Sequence, residues 1–366
     1  MKAERGWLVA SRNKLRMLGA VVAMGTLGAS IASFVLAESN MKSGDPTVHA
    51  ERHLKNIRQL TWGKQNAEAR FSGDGKRLIF QSTRDGLGCF QQYEMEVGGG
   101  EARLVSTGSG ATSGGSFFPG DRRVMYASTH MKGAECPLKP SAQGRDLRAL
   151  DDYDIFTANI RGSDIFRLTA SPGYDAEATI APNGSRIVFT SVRDGDLDIY
   201  SMRLDGTDVK RLTSAVGYDG GAFFSPDSMR IVYRAFHPTD PAEVARYKDL
   251  LSGNLVEPDK LEIFVMDADG GHQRRVTSNG AANLAPVFHP DGRRILFSSN
   301  LHDSRRQTFH LFLVGDDGQG LEQITSNGGF NSFPMFSPDG TRLVWVSDRG
   351  AKAKGECNVF LADWVP

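Results

Sequence analysis

Five side chains that can carry positive charge, Arg84, His130, Arg193, His237 and Arg349, each stand just beyond a short apolar run, at comparable places along the chain. Gathered on one face, they would ring an anionic group such as a carboxylate, a phosphate or an acidic loop of a partner. Held apart, they would pair with acids such as Asp85 or Asp194 and tie neighbouring sheets together. A second series reads Asn66, Thr112, Asp175, Asp219, Asn283 and Asn331, with Glu68 and Glu177 two residues beyond and Tyr174 and Tyr218 just before the two aspartates. Small Asx residues at such places cap turns through their own backbone. Were Glu68, Glu177, Asp175 and Asp219 to converge instead, they would hold a hard divalent cation or a water cluster.

His130, His237 and His302 form a third set. Three converging imidazoles are a transition-metal site, and separated ones are loop decoration. Asp194-Gly195-Asp196-Leu197-Asp198 has the look of a calcium loop. It lacks the glycine at position six and the bidentate glutamate at twelve, so it reads as a turn. No residues form a recognisable nucleophile–base pair.

Composition narrows the classes. The 366 residues hold 43 Lys+Arg against 43 Asp+Glu, which excludes a nucleic-acid protein working through a bulk basic field. Three cysteines without a C-x-x-C are too few for a disulfide scaffold. The 41 glycines and 15 prolines favour short strands and tight turns over helices.

Residues 1–16 carry Lys2, Arg5, Arg12, Lys14 and Arg16 against one acid, and Met17 to Ala37 carry no charge. That is the pattern of a secretory signal ending at Ala37, with an uncleaved N-terminal anchor through residues 17–37 as the alternative. Either way the remainder is exported, to a periplasmic or extracellular compartment. Without 1–37 the chain has 38 Lys+Arg against 42 Asp+Glu. Residues 38–52 read as a polar linker.

The elements that must position these side chains come from an internal repeat. Leu60-Thr61, Leu104-Val105, Leu168-Thr169, Leu212-Thr213, Val276-Thr277 and Ile324-Thr325 mark six units. Each is followed by a turn of the type Phe336-Ser337-Pro338-Asp339-Gly340, then by a strand such as Ile187-Val188-Phe189 and a third such as Ile199-Tyr200-Ser201-Met202. Asp205-Gly206, Asp269-Gly270 and Asp317-Gly318 are hairpin turns into the next landmark. Each unit is thus a four-stranded antiparallel sheet, and six in radial array make an all-β, six-bladed β-propeller over 53–366. The last unit ends without an outer strand, and 53–61 offer one with no unit before them. The N-terminal strand is therefore expected to close the last blade.

The repeated L-T…F-S-P-D-G…R-I-V-F…S-x-R-D-G…I-Y-x-M…D-G unit resembles the TolB-type, WD-repeat-like propeller family, without the N-terminal domain of TolB proper. That resemblance implies an envelope binding partner. Some members of the family cap serine peptidases, but no G-x-S-x-G elbow occurs here. Others are polysaccharide lyases, which implies a metal-dependent enzyme acting on an anionic glycan as the alternative function.

Landmark spacings of 44, 64, 44, 64 and 48 residues place insertions in blades two and four, at 130–152 and 237–260, between second and third strands. Both belong to the face that also carries the blade-to-blade loops, where binding residues accumulate. Asp240-Pro241 with Glu243 starts a helix over 241–251, its stripe Val244, Tyr247 and Leu251 turned inward. The 130–152 insertion has Pro137 and Pro140 and no strand signal. Cys89–Cys136 is the expected disulfide, with Cys89–Cys357 its rival. Together these features describe a non-catalytic envelope propeller that recognises a protein or glycan through its loop-rich face, binds no nucleic acid, and needs no cofactor beyond a bound divalent cation.

Overall fold

The computed structural model describes residues 51–138 and 147–366. The signal and most of the linker, and Pro140 of the first insertion, lie outside the described residues. No described helix is long and apolar enough to cross a membrane.

The described residues form six four-stranded antiparallel sheets arranged as propeller blades. The innermost strands are Asn66–Phe71, Thr112–Phe117, Asp175–Ile180, Tyr218–Phe224, Asn283–Phe288 and Asn331–Phe336. Between successive sheets lie clusters of alternating strand residues, for example Ile79, Val124, Tyr126 and Phe156 between blades one and two. Each blade therefore buries both faces, as a lone four-stranded sheet cannot.

Closure follows the expectation. Leu54–Gln59 pairs antiparallel with Asn358–Trp364, with Leu54 opposite Trp364 and Gln59 opposite Phe360. His53 stacks on Trp364 at 5.0 Å between ring centroids, and its Nδ1 lies 2.6 Å from the Val365 carbonyl oxygen.

The Leu-Thr landmark has a physical cause. In blades two to five the outermost strands hold only two residues, such as Lys210–Arg211, and the next threonine continues the ladder with its hydroxyl. Thr169 Oγ1 accepts from Ile155 N, Thr213 from Ile199 N, Thr277 from Ile263 N and Thr325 from Leu311 N, all within 2.8–2.9 Å. Thr61 does the same for Val359 N in the closing blade. In blade one Val105 has no hydroxyl, and Ser106 Oγ accepts from Gln92 N instead.

The helix Pro241–Ser252 forms where the sequence places it. Asp240 accepts from Ala242 N and Glu243 N, and the Gly253 N–H closes it on Leu250 O. Tyr247 is its buried residue. The first insertion departs from expectation. Arg148–Ala149 is a strand, paired antiparallel with Leu255–Val256 of the second insertion. A two-residue strand has no period to read, and its partner lies two blades away in the sequence.

Candidate functional site

The cationic series and the Asx series are two halves of one strand-end clamp. Asn66, Asp175, Asp219 and Asn331 open or lie next to the start of innermost strands, and each meets the cation that follows the second strand of its own blade. Arg84 Nη2 donates to Asn66 Oδ1 at 3.3 Å, Arg193 Nη2 to Asp175 at 3.0 and 3.1 Å, and Arg349 Nη2 to Asn331 Oδ1 at 3.2 Å. His237 Nε2 lies 3.0 Å from Asp219 Oδ1. The guanidinium groups also lie over rings of their own blades: Arg84 on Phe80 and Tyr93, Arg193 on Phe189 and Tyr200, Arg349 on Trp345 and Phe360. His130 keeps to Ser128 and the Phe156 ring. The structure thus gives each of these cations a partner within its blade, where the sequence suggested a shared ring or ties between blades. Arg349 adds one longer reach, to Glu51 at 2.8 and 3.0 Å.

The three histidines are likewise apart in their contacts. His237 packs on Phe264, and His302 packs on His310 with Thr308 at 3.1 Å. Among the described residues no group of three or more His, Cys, Asp or Glu side chains is placed to hold a metal ion. This corrects the expected His130–His237–His302 convergence: each imidazole packs on aromatic neighbours of its own blade. The aspartates of 194–198 also diverge, Asp194 to Tyr200, Asp196 to Tyr247 and Asp198 to Arg211.

Glu68, Gly114, Glu177, Gly221, Ala285 and Phe333 occupy one position in the six innermost strands, and all have φ between 48 and 66°. At each the strand pairing slips by a bulge, which turns this residue toward the propeller axis. Each glutamate then accepts from the bulge glycine of the following blade: Glu68 from Gly114 N at 3.0 Å, Glu177 from Gly221 N at 2.8 Å.

Around Glu177 the site is densely charged. Its carboxylate takes Arg234 Nη2 at 2.5 Å, Arg148 Nη1 at 2.9 Å and Thr190 Oγ1 at 3.1 Å. Arg148 Nη2 donates to Tyr174 OH at 2.7 Å and Arg234 Nη2 to Tyr218 OH at 2.8 Å. Burial alone would push the Glu177 carboxyl up, but Arg234 and Arg148 overcome it and hold it at about 2. The structure therefore brings Glu177, Tyr174 and Tyr218 together and leaves Asp175 and Asp219 to their clamps.

Three arginines of this centre were missed. Arg148 lies in an insertion without readable pattern. Arg234 interrupts the apolar run Ile231-Val232-Tyr233, where other blades carry Gln81, Ala127, Thr190, Ser298 and Val346, and that break was a usable signal. Arg70 sits in an innermost strand and crosses the axis: it donates to Ser116 Oγ at 2.6 Å and Ala178 O at 3.2 Å, and lies 4.8 Å over the Phe223 ring. It touches the three following blades at once. With Phe333, Met335 and Val287 it reduces the axial cavity to about 40 Å³, room for a few waters.

Larger hollows flank the strand pair made by the two insertions. One, of about 230 Å³, is lined by Pro137, Leu138, Arg148, Tyr153 and Tyr174. The other, of about 270 Å³, lies under the helix Pro241–Ser252. Cys89 and Cys136 are disulfide-bonded with Cα atoms 5.6 Å apart, fixing the first insertion to blade one, and Cys357 is free.

Residues 145–248 match the TolB beta propeller domain family. A candidate TolB from Agrobacterium tumefaciens is 18% identical, over 85% of this chain and 97% of that one, with a TM-score of 0.55. TolB from Acinetobacter baumannii is 17% identical, over 82% of this chain and 64% of that one, with a TM-score of 0.54. An oligogalacturonate lyase in complex with manganese is 14% identical, over 84% and 93%, with a TM-score of 0.49. At these identities the likeness to the two TolB structures shows the fold alone.

Proposed function

From the premise that this chain is a TolB-like six-bladed propeller, we propose that it is an exported, non-catalytic binding protein of a bacterial-type envelope, which recognises a protein or glycan through its loop-bearing face. The observation that carries this reading is the pairing of Arg148–Ala149 with Leu255–Val256. It joins the two insertions into one platform, anchored at the axis through Arg148 and Glu177, with a hollow on either side. The charge state of the centre supports binding over acid–base chemistry. A carboxylate held by two arginines, a hydroxyl and a backbone N–H is a weak base at neutral pH. The Cys89–Cys136 bond fits an oxidising compartment, in keeping with the N-terminal export signal.

Photo-crosslinking residues placed at Leu138 and Arg246 on the loop-bearing face, and at exposed Met229 on the opposite face, test it in envelope-bearing cells. Adducts from the first two and none from Met229 are expected. Adducts confined to Met229 would overturn the reading, as would release of unsaturated uronides from polygalacturonate by the purified protein.

A further inference from the structure

The hairpins after the third strands lock each blade to the one before it, except at the seam where the ring closes. Gly162, Gly206, Gly270 and Gly318 close these hairpins in blades two to five. A Cβ on any of them would stand 2.7–3.2 Å from the landmark carbonyl oxygen of the preceding blade. Gly99 is the equivalent in blade one, bonded to Glu96 O as Gly206 is to Arg203 O. A Cβ there would meet only Leu60 Cδ2, at 3.8 Å. The blade-one hairpin thus stands off from the closing strand, and a hollow of about 290 Å³ opens along the seam between blades six and one. Leu60, Met95 and Trp62 supply its apolar lining, and Lys64, Arg84 and Asp85 its charges. Trp62 is 69% exposed.

Arg84 differs from the other two arginine clamps. Arg193 holds Asp175, and Arg349 holds Glu51 through both terminal nitrogens. Arg84 has only the neutral Asn66 Oδ1 at 3.3 Å and Ser82 Oγ at 3.2 Å, and no ion pair among the described residues. Burial pulls this guanidinium below its ordinary pKa.

The closing segment shows what such a place accepts. Glu51 Oε1 takes the Ser326 N–H at 3.0 Å and the Asn327 N–H at 3.3 Å, while Arg349 holds the same carboxylate. Ser326 follows the landmark Ile324-Thr325 as Trp62 follows Leu60-Thr61. Gly63 N already donates to Glu356 at 3.0 Å, but the Trp62 N–H has no acceptor among the described residues. Trp62 and Arg84 both line the hollow, and its two cations face one acid. A carboxylate is the group that this donor set matches. Sugar hydroxyls would find few partners, since Thr61 Oγ1 is engaged by Asn358 and Val359 N and Gly63 O by Asn66. Leu60, Met95 and the indole suit an apolar body instead.

We propose that the seam between blades six and one is a binding site for a carboxylate on an apolar body, with Arg84 and Lys64 receiving the charge and Trp62, Leu60 and Met95 the body. The site goes beyond the binding role proposed above, which names no ligand class, and stands on the seam alone. The carboxylate can belong to a free acid or to the C-terminus of a partner chain.

Titration calorimetry of the purified chain with 3-phenylpropanoate, the neutral 3-phenylpropanol and the cationic 3-phenylpropylamine tests the charge rule. Nα-acetyl-phenylalanine stands for a chain terminus, and glucuronate for an acidic sugar. One of the two aryl acids is expected to bind at least about tenfold more tightly than the alcohol and glucuronate, with no heat from the amine. Tighter 3-phenylpropanoate supports the site with a free acid as its ligand, and tighter Nα-acetyl-phenylalanine supports it with a chain terminus. Arg84→Gln should reduce acid binding about tenfold. Because Arg84 also clamps its own blade, Lys64→Glu and Trp62→Ala, both at exposed positions, test the site without disturbing the core. Each should weaken binding roughly fivefold or more and leave the thermal midpoint within a few degrees. Equal affinity for acid and alcohol, glucuronate as tight as the aryl acids, unchanged binding in any of the three variants, or no acid binding at all overturns the inference. Adducts at Leu138 and Arg246 without acid binding would remove this inference and leave the binding face standing. Acid binding with adducts confined to Met229 would do the reverse.

Discussion

The guanidinium of Arg148, carried by the blade-two insertion, lies 2.9 Å from the carboxylate of Glu177 on the innermost strand of blade three. That contact couples a loop to the propeller axis. Arg234 of blade four completes it from the other side, so one carboxylate joins three blades. A carboxylate with this much inward charge is an integral part of the fold, and its loss has a definite pH signature.

Glu177→Gln keeps the shape and removes the charge, leaving two guanidinium groups facing each other. Breaking a buried pair in this way costs roughly 3–5 kcal/mol. Because the folded carboxyl sits near 2, below its ordinary 4.5, the stability it contributes is present above about pH 4.5 and lost as pH falls toward 2. Urea unfolding should show the variant about 3 kcal/mol weaker at pH 7, with the gap closing by pH 2. A gap that persists unchanged in acid would disprove the assignment.

Gly221 makes room for that arginine. A Cβ there would stand 2.2 Å from Arg234 Nη1, and the residue has φ +61°. Gly86, at φ +73°, has nothing within 4 Å of its Cβ position. Gly86→Ala should therefore cost about 1 kcal/mol, the backbone term alone, and Gly221→Ala about 3 kcal/mol because the Arg234–Glu177 pair must also shift. Equal unfolding midpoints for the two variants would contradict this.

His237 faces Asp219, which is fully buried with one carboxylate oxygen unpartnered. Burial pulls the imidazole down, but Asp219, with Asp196 and Asp198 beyond it, pushes it above its ordinary value. The stability carried by protonated His237 is thus fully present below about pH 6.5 and fades as pH rises through the elevated folded value. His237→Gln, which keeps a donor toward Asp219, should lose roughly 1.5–3 kcal/mol at pH 5.5 and approach the wild type by pH 9. Thermal unfolding across that range measures it, and parallel profiles would refute it.

Much of the architecture was legible in the chain. Pro-Asp-Gly turns, Asp-Gly hairpins and the Leu-Thr landmark are local chemistry repeated six times, so blade count and ring closure could be read from spacing. The helix Pro241–Ser252 was legible for the same reason, since Asp240, Pro241 and Gly253 act within one turn of chain. The candidate site was only half legible. Glu177, Tyr174 and Tyr218 stood out by alignment of the blades, but their partners Arg148 and Arg234 did not.

What the amino-acid order determined by itself is everything that depends on neighbours a few residues apart: strand, turn, cap and the number of times they recur. Tertiary structure alone decided which charges meet. Arg193 and Glu177 are both ionisable residues near the same end of blade three, yet one lies on rings of its own sheet and the other receives arginines from two other blades. The bulge at residues 177 and 221 turns the backbone toward the axis, and there Arg148, Glu177 and Arg234, from three separate blades, come within hydrogen-bonding distance of one another.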